Sequence, residues 1–227
     1  GEEFQIPPTC RMSVAEITKC ARIAADNAAS VLGESSCAGF IAKLGFSWNS
    51  EDVVAARDQE ELARKLQELV VKEPGRDPRG DVFVQKRIQG LLCEPSVFLK
   101  HGSIMEIRFV SPVLGQRSFR TFSESEALAE LFNGSKEDLS RVLEETRQLS
   151  NRLLNWIISD FAEIPSFLRM DFLVAREPST SRLQIWTGEV CELGGGLCGL
   201  SGGRAEPFRA LLKHILKDDS NVVTVPR

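Results

Sequence analysis

The sequence of 227 residues has no tyrosine and only two histidines, His101 and His214, far apart and without neighbouring cysteines. That scarcity argues against a structural zinc site, a histidine-dependent triad and a histidine-built metal hydrolase. Six cysteines stand at positions 10, 20, 37, 93, 191 and 198, with no Cys-x-x-Cys pair among them. A chain this long needs no disulfide staples, so the thiols are expected reduced, in a compartment such as the cytoplasm; organelle import of a processed precursor is compatible with the same chemistry. No apolar run approaches the ~18 residues that cross a bilayer. The first residues, GEEFQIPPTC, carry neither the basic nor the apolar region of a signal peptide. Charge of one sign is not in excess either, with 28 Lys+Arg against 32 Asp+Glu and a formal net charge of -4. General nucleic-acid binding, which needs a basic stripe, is therefore not expected. The lack of tyrosine has no evident physical reason. What remains for chemistry is carboxylates, lysines, arginines and backbone amides.

Material for a core is present, at 42% hydrophobic and 26% charged residues. Ser13 and Glu16 stand at capping-box spacing, and Val14, Ile17, Ala21, Ala24, Ala28 and Val31 recur at helical steps until Gly33, which predicts one helix. Gly39 to Leu44 reads as a short buried strand ending near Lys43. A polar loop through Asp52 leads to Val53-Val54, and Asp58 and Glu61 then open a helix facing inward with Leu62, Leu66, Leu69 and Val70. The segment KEPGRDPRGD, residues 72–81, reads as an exposed loop before a strand from Asp81 that turns polar and stops at Gly90.

Beyond Gly90 the pattern changes. Val97/Leu99 and Met105/Ile107/Phe109 alternate on either side of His101-Gly102, as in an antiparallel hairpin. Ser123 to Glu126 marks a helix start, and Ser135 and Asp138 open a long helix with Leu139, Val142, Leu143, Leu149, Leu153, Trp156 and Ile157 on one face. Phe167–Val174 and Leu183–Trp186 form a second hairpin, and Pro207 to Leu216 a last amphipathic helix. Hairpin-paired strands covered by helices define an α+β fold. Two lobes are expected, residues 1–90 and 91–227.

Four features carry chemical potential. Lys43 ends a buried strand, where a desolvated ammonium favours an anion such as phosphate; alone, such a lysine more commonly snorkels to solvent. The polar exit of the strand from Val82 to Gly90, with Glu94 beyond it, offers backbone groups to an adenine and a carboxylate to a ribose. Arg169 and Asp171, two apart on a strand, share one face. Glu189 and Glu192, ahead of the glycine run 194–196, suit a hard cation and close backbone approach to an oxyanion. Antiparallel pairing can bring Asp171 close to Glu189 or Glu192, and a one-residue bulge at Gly188 would decide which of them faces it.

In this order, the segments Phe40-Ile41-Ala42-Lys43, Val82 to Gly90 with Glu94, Arg169-Met170-Asp171-Phe172 and Gly188-Glu189-Val190-Cys191 resemble the ATP-grasp superfamily. The resemblance spans roughly residues 13 to 217 and implies a two-lobed core with antiparallel sheets, each covered by helices. It implies ATP and Mg2+ as ligands and a ligase that joins a carboxylate to an amine or thiol through an acyl-phosphate. A catalytically degenerate binding or assembly subunit, with a protein partner, is the alternative. Under the resemblance Lys43 contacts phosphate, Gln85, Lys86 and Ile88 line adenine, and Glu94 takes the ribose. Arg169 takes a phosphate, Arg108 the acceptor or a phosphate, and Asp171 with Glu189 or Glu192 the magnesium. The pattern departs from the family at Cys191, where the family has asparagine. A thiol is too soft to serve magnesium well. The family's glycine-rich flap is replaced by Gly45 to Asp52.

Overall fold

A computed structural model of the chain describes residues 3–33, 39–45, 52–71, 80–112, 119–161 and 166–191. Two compact units, 1–90 and 91–227, divide it. The terminal helix expected at 207–216, the loop residues 72–79 and 46–51, and Glu192 with the glycine run lie outside the described residues.

In the first unit the strands β1 (Thr9–Ser13), β2 (Phe40–Leu44), β3 (Val53–Ala56) and β4 (Asp81–Lys86) pair antiparallel in the order β1-β4-β2-β3. Phe40, Ala42 and Leu44 alternate inward along β2, and Val82 and Val84 along β4. They join Ile17, Ala24, Ala28, Leu62, Leu66 and Leu69 from α1 (Val14–Lys19), α2 (Ala21–Leu32) and α3 (Gln59–Val71) in one apolar core. The other sheet face carries Ile41, Lys43, Phe83 and Gln85, all half-buried. Gly39, at φ +82, precedes β2 so tightly against the Ala56 carbonyl that a Cβ would lie 2.3 Å from that oxygen. Only glycine fits there.

The single helix expected from Ser13 to Gly33 is instead two. The Ser13–Glu16 capping box forms, but α1 stops at Cys20, whose φ of -164 is extended. The Thr18 hydroxyl donates back to the Val14 carbonyl at 2.8 Å, a bond that competes with regular helix in this short β-branched turn. After the break Ala24 and Ala28 face inward as expected, joined by Ala25, Ala29 and Leu32, whereas Val31 is 69% exposed. Strand β1 was not foreseen.

In the second unit β5 (Leu91–Lys100), β6 (Ser103–Pro112), β7 (Phe119–Phe122), β8 (Phe167–Arg176) and β9 (Leu183–Cys191) pair antiparallel in the order β7-β6-β5-β8-β9. His101 and Gly102 close the β5–β6 hairpin with positive φ angles of 47 and 77, a tight two-residue turn. The short α4 (Glu124–Glu130) starts on a complete capping box at Ser123. The long α5 (Lys136–Phe161) packs on β5, β8 and β9. Its Leu139, Val142, Leu149 and Leu153 are buried, as are Val97, Met170, Phe172 and Val174 on the sheet. Phe109 meets Phe132 edge-on at 5.8 Å. Trp156, expected on the inner face of α5, is instead 46% exposed near the helix end. The sequence pattern did not show β7, whose four residues are too few for alternation to register. The architecture is α+β, with helices covering an antiparallel sheet in each unit.

Candidate functional site

Strand register builds the site. Arg108 on β6 pairs with Ser96 on β5, Ser96 with Asp171 on β8, and Asp171 with Glu189 on β9. These four side chains form one row across four strands. Beside it runs a second row, Glu106, Phe98, Arg169 and Cys191. Both rows lie on the sheet face opposite Met170 and Phe172, because alternate residues of a strand point to opposite faces.

Glu189 reaches that face through a bulge. Phe172 pairs with Thr187 and Asp171 with Glu189, leaving Gly188 as an extra residue in β9. A regular strand would send Glu189 to the side of Thr187, which is buried at 6% exposure. The inserted residue reverses the parity, so Glu189 and Cys191 turn toward Asp171 and Arg169. A Cβ at position 188 would stand 3.0 Å from the Asp171 carbonyl oxygen, which is why the bulge holds glycine.

Arg169 ties the cluster together. Its Nε and Nη2 donate to Asp171 Oδ2 at 3.0 and 2.7 Å, and Nη2 also reaches Glu189 Oε1 at 3.2 Å and Cys191 Sγ at 3.3 Å. Cys191 Sγ donates to Glu189 Oε1 at 3.3 Å. Asp171 is only 8% exposed, and its buried Oδ1 has no hydrogen-bond partner. Burial pushes the Asp171 carboxyl up to about 6, against the pull of Arg169, with Glu189 adding to the rise. Burial and then Glu189 push the Cys191 thiol up to about 12. Burial opposes the charge on Arg169, but Asp171, Cys191 and Glu189 outweigh it and raise its pKa. The result is a buried carboxylate with an unsatisfied oxygen, held beside a second carboxylate and a thiol by one guanidinium.

Arg108 stands in the same row but is ion-paired to Glu106 on its own strand. Glu94 is half-buried on β5, two residues from Ser96 and on the same face. Sequence reasoning missed Ser96; the alternation Glu94-x-Ser96 was the available signal.

In the first unit, Lys43 is half-buried and has no ion-pair partner among the described residues. Gln85, paired with Ile41 on the same sheet face, donates Nε2 to Thr9 Oγ1 at 2.9 Å. Lys86 pairs with Phe40 and so points to the opposite face from Gln85. The Lys86 N–H donates to the Pro8 carbonyl and the Arg87 N–H to the Gly39 carbonyl, each at 3.0 Å. The first backbone N–H past β4 without a partner among the described residues is that of Ile88.

No protein-family profile matches the chain, and no curated protein sequence matches it. Solved structures do. D-cycloserine synthetase DcsG aligns over 93% of this chain with a TM-score of 0.59 at 14% identity. D-alanyl-alanine synthetase A from Vibrio cholerae aligns over 97% with a TM-score of 0.56, and D-alanine–D-alanine ligase from Bacillus anthracis over 96% with a TM-score of 0.52, both at 14% identity. The chain has the ATP-grasp fold. It spans 65%, 62% and 64% of the lengths of these three ATP-grasp proteins. No helix among the described residues is long and apolar enough to cross a membrane.

The donor set decides which ion this sheet can hold. Asp171 and Glu189 offer carboxylate oxygens, one of them buried and unpartnered, which suit a hard divalent cation completed by water and phosphate. Cys191, the third donor, does not.

Proposed function

We propose that the chain binds ATP with a divalent cation and is the nucleotide-binding core of a ligase joining a carboxylate to an amine or thiol through an acyl-phosphate. The observation that carries this reading is the row Arg108, Ser96, Asp171 and Glu189, with Arg169 beside it, on one sheet face of an ATP-grasp fold. Asp171 and Glu189 hold the divalent cation, with Glu192 adjoining in sequence. Arg169 turns from the acids to a phosphate, and Arg108 serves the acceptor or a phosphate. In the first unit Lys43 offers its ammonium to phosphate, and the Gln85–Ile88 segment, Lys86 included, borders adenine with the Ile88 N–H as donor. Glu94 takes the ribose hydroxyls. ATP supplies the phosphoryl group and the cation offsets charge on it. The chain's own part is positional and electrostatic: fixed cations and backbone donors aimed where charge develops.

A second reading is a degenerate binding or assembly subunit on the same fold. Cys191 in the metal cluster, and the hold of Arg169 on both carboxylates, favour it. Magnesium-dependent ATP consumption separates the two.

Thermal unfolding with ATP or ADP, with and without magnesium, tests the binding shared by both. A ligand at a hundredfold excess over its Kd stabilises the folded state by about 2.7 kcal/mol. The expected result is a magnesium-dependent rise in Tm that Asp171→Asn abolishes. No shift with any nucleotide, in protein shown to be folded, sinks the reading.

A further inference from the structure

We propose that Asp171, Glu189 and Cys191 form a site for a thiophilic divalent cation of the zinc class, and that Cys191 selects such an ion over magnesium. The inference rests on the metal half of the reading above and needs no nucleotide. The three donor atoms all lie within 4.8 Å of one another, and no other such group of three His, Cys, Asp or Glu side chains occurs among the described residues. Cys191 Sγ and Glu189 Oε1 are 3.3 Å apart. A tetrahedral zinc with bonds of about 2.3 Å to sulfur and about 2.1 Å to oxygen needs a ligand edge of about 3.6 Å, so a few tenths of an ångström separate the pair from metal-ready spacing.

Two further observations point to a cation here. Asp171 is 8% exposed and its buried Oδ1 has no partner, which is costly for a carboxylate oxygen unless something positive completes it. A positive group also already stands among the donors. Arg169 Nη2 is 2.7 Å from Asp171 Oδ2, 3.2 Å from Glu189 Oε1 and 3.3 Å from Cys191 Sγ. One guanidinium nitrogen thus touches the same three side chains that a metal would. An entering ion displaces that nitrogen and releases the thiol proton, leaving Sγ as a thiolate ligand. Oxygen donors alone would suit magnesium; a thiolate among them shifts preference toward zinc, cadmium and cobalt. Glu189 and Cys191 share this face only because of the Gly188 bulge, so the same backbone irregularity delivers both the hard and the soft donor.

The test is titration of the full chain with Cd2+ and with Co2+, without nucleotide, followed by absorbance. A thiolate-to-cadmium charge-transfer band that saturates at one equivalent and is lost in Cys191→Ser supports the site. Cys191→Asn, checked for fold by circular dichroism, is expected to weaken Cd2+ binding by about tenfold or more while Mg2+ binding, read by calorimetry, holds or strengthens. Absence of a saturable band in the wild type, or a band that persists in Cys191→Ser, overturns the proposal. A cadmium band together with no Mg-ATP shift in Tm would remove the nucleotide reading and leave this one; a Mg-ATP shift without a cadmium band does the reverse.

Discussion

Gly188 lies against the backbone of Asp171 so closely that a Cβ on it would stand 3.0 Å from the Asp171 carbonyl oxygen. That contact fixes the bulge, and the bulge fixes which side chains of β9 meet Asp171. Gly188→Ala must push the two strands apart by a few tenths of an ångström, and overpacking of this kind costs about 1–3 kcal/mol. Urea unfolding checks the cost; an unchanged midpoint would show that the ladder absorbs the methyl group.

Asp171 makes the stability of the ligand-free protein depend on pH. Its carboxyl titrates at about 6 in the folded chain, against 3.8 for an unperturbed aspartate. Between those values the folded state binds more protons than the unfolded state, so this group's contribution to stability falls as pH rises through that window and is level above it. Denaturation midpoints across the window should show a slope in wild type that Asp171→Asn reduces, and parallel curves would contradict the assignment.

Lys43 separates binding from stability. It has no ion-pair partner among the described residues, so Lys43→Met should leave unfolding within about 0.5 kcal/mol of wild type. If Lys43 meets a phosphate, the same change weakens ATP by roughly tenfold or more, the worth of a charge-assisted hydrogen bond, and spares adenosine. Equal weakening of both ligands would place Lys43 elsewhere. Calorimetry with the two ligands measures it.

Cys191 should resist alkylation at neutral pH. Burial and the Glu189 carboxylate hold its thiol near 12, which leaves almost no reactive thiolate. Mass spectrometry of iodoacetamide-treated protein is expected to show slow labelling at Cys191, accelerated in Glu189→Gln. Labelling as fast as that of a free thiol would mean that the cluster is open.

How far the sequence discloses this site depends on parity. Arg169 and Asp171 stand two apart in an apolar strand, so their common face follows from alternation, and the hairpin after Pro178 brings β9 alongside. Whether Glu189 or Glu192 faces Asp171 did not follow, because Gly188 can be a regular strand residue or an insertion and only the pairings of Phe172 with Thr187 and of Asp171 with Glu189 decide. The long helix, both hairpins, the capping box at Ser13 and the helix start at Ser123 are local signals and were legible. Strand β1 was not: its five residues run straight into a capping box, and the pairing that defines them is with β4, whose Gln85 partners Thr9 far along the chain. The break at Cys20 likewise hides inside an unbroken apolar periodicity.

The row from Arg108 to Glu189 draws one residue from each of four strands, with β9 the last of them in the chain and at the end of the sheet order. Assembly of the cluster is therefore a late event. As the polypeptide leaves the ribosome, the β5–β6 hairpin can close on its own, but Asp171 has no Glu189 or Cys191 beside it until the final described strand has emerged and docked. Ligand capture at this cluster then stabilises only the finished sheet and none of its precursors, so an ion or nucleotide bound here would act on unfolding rates far more than on folding rates.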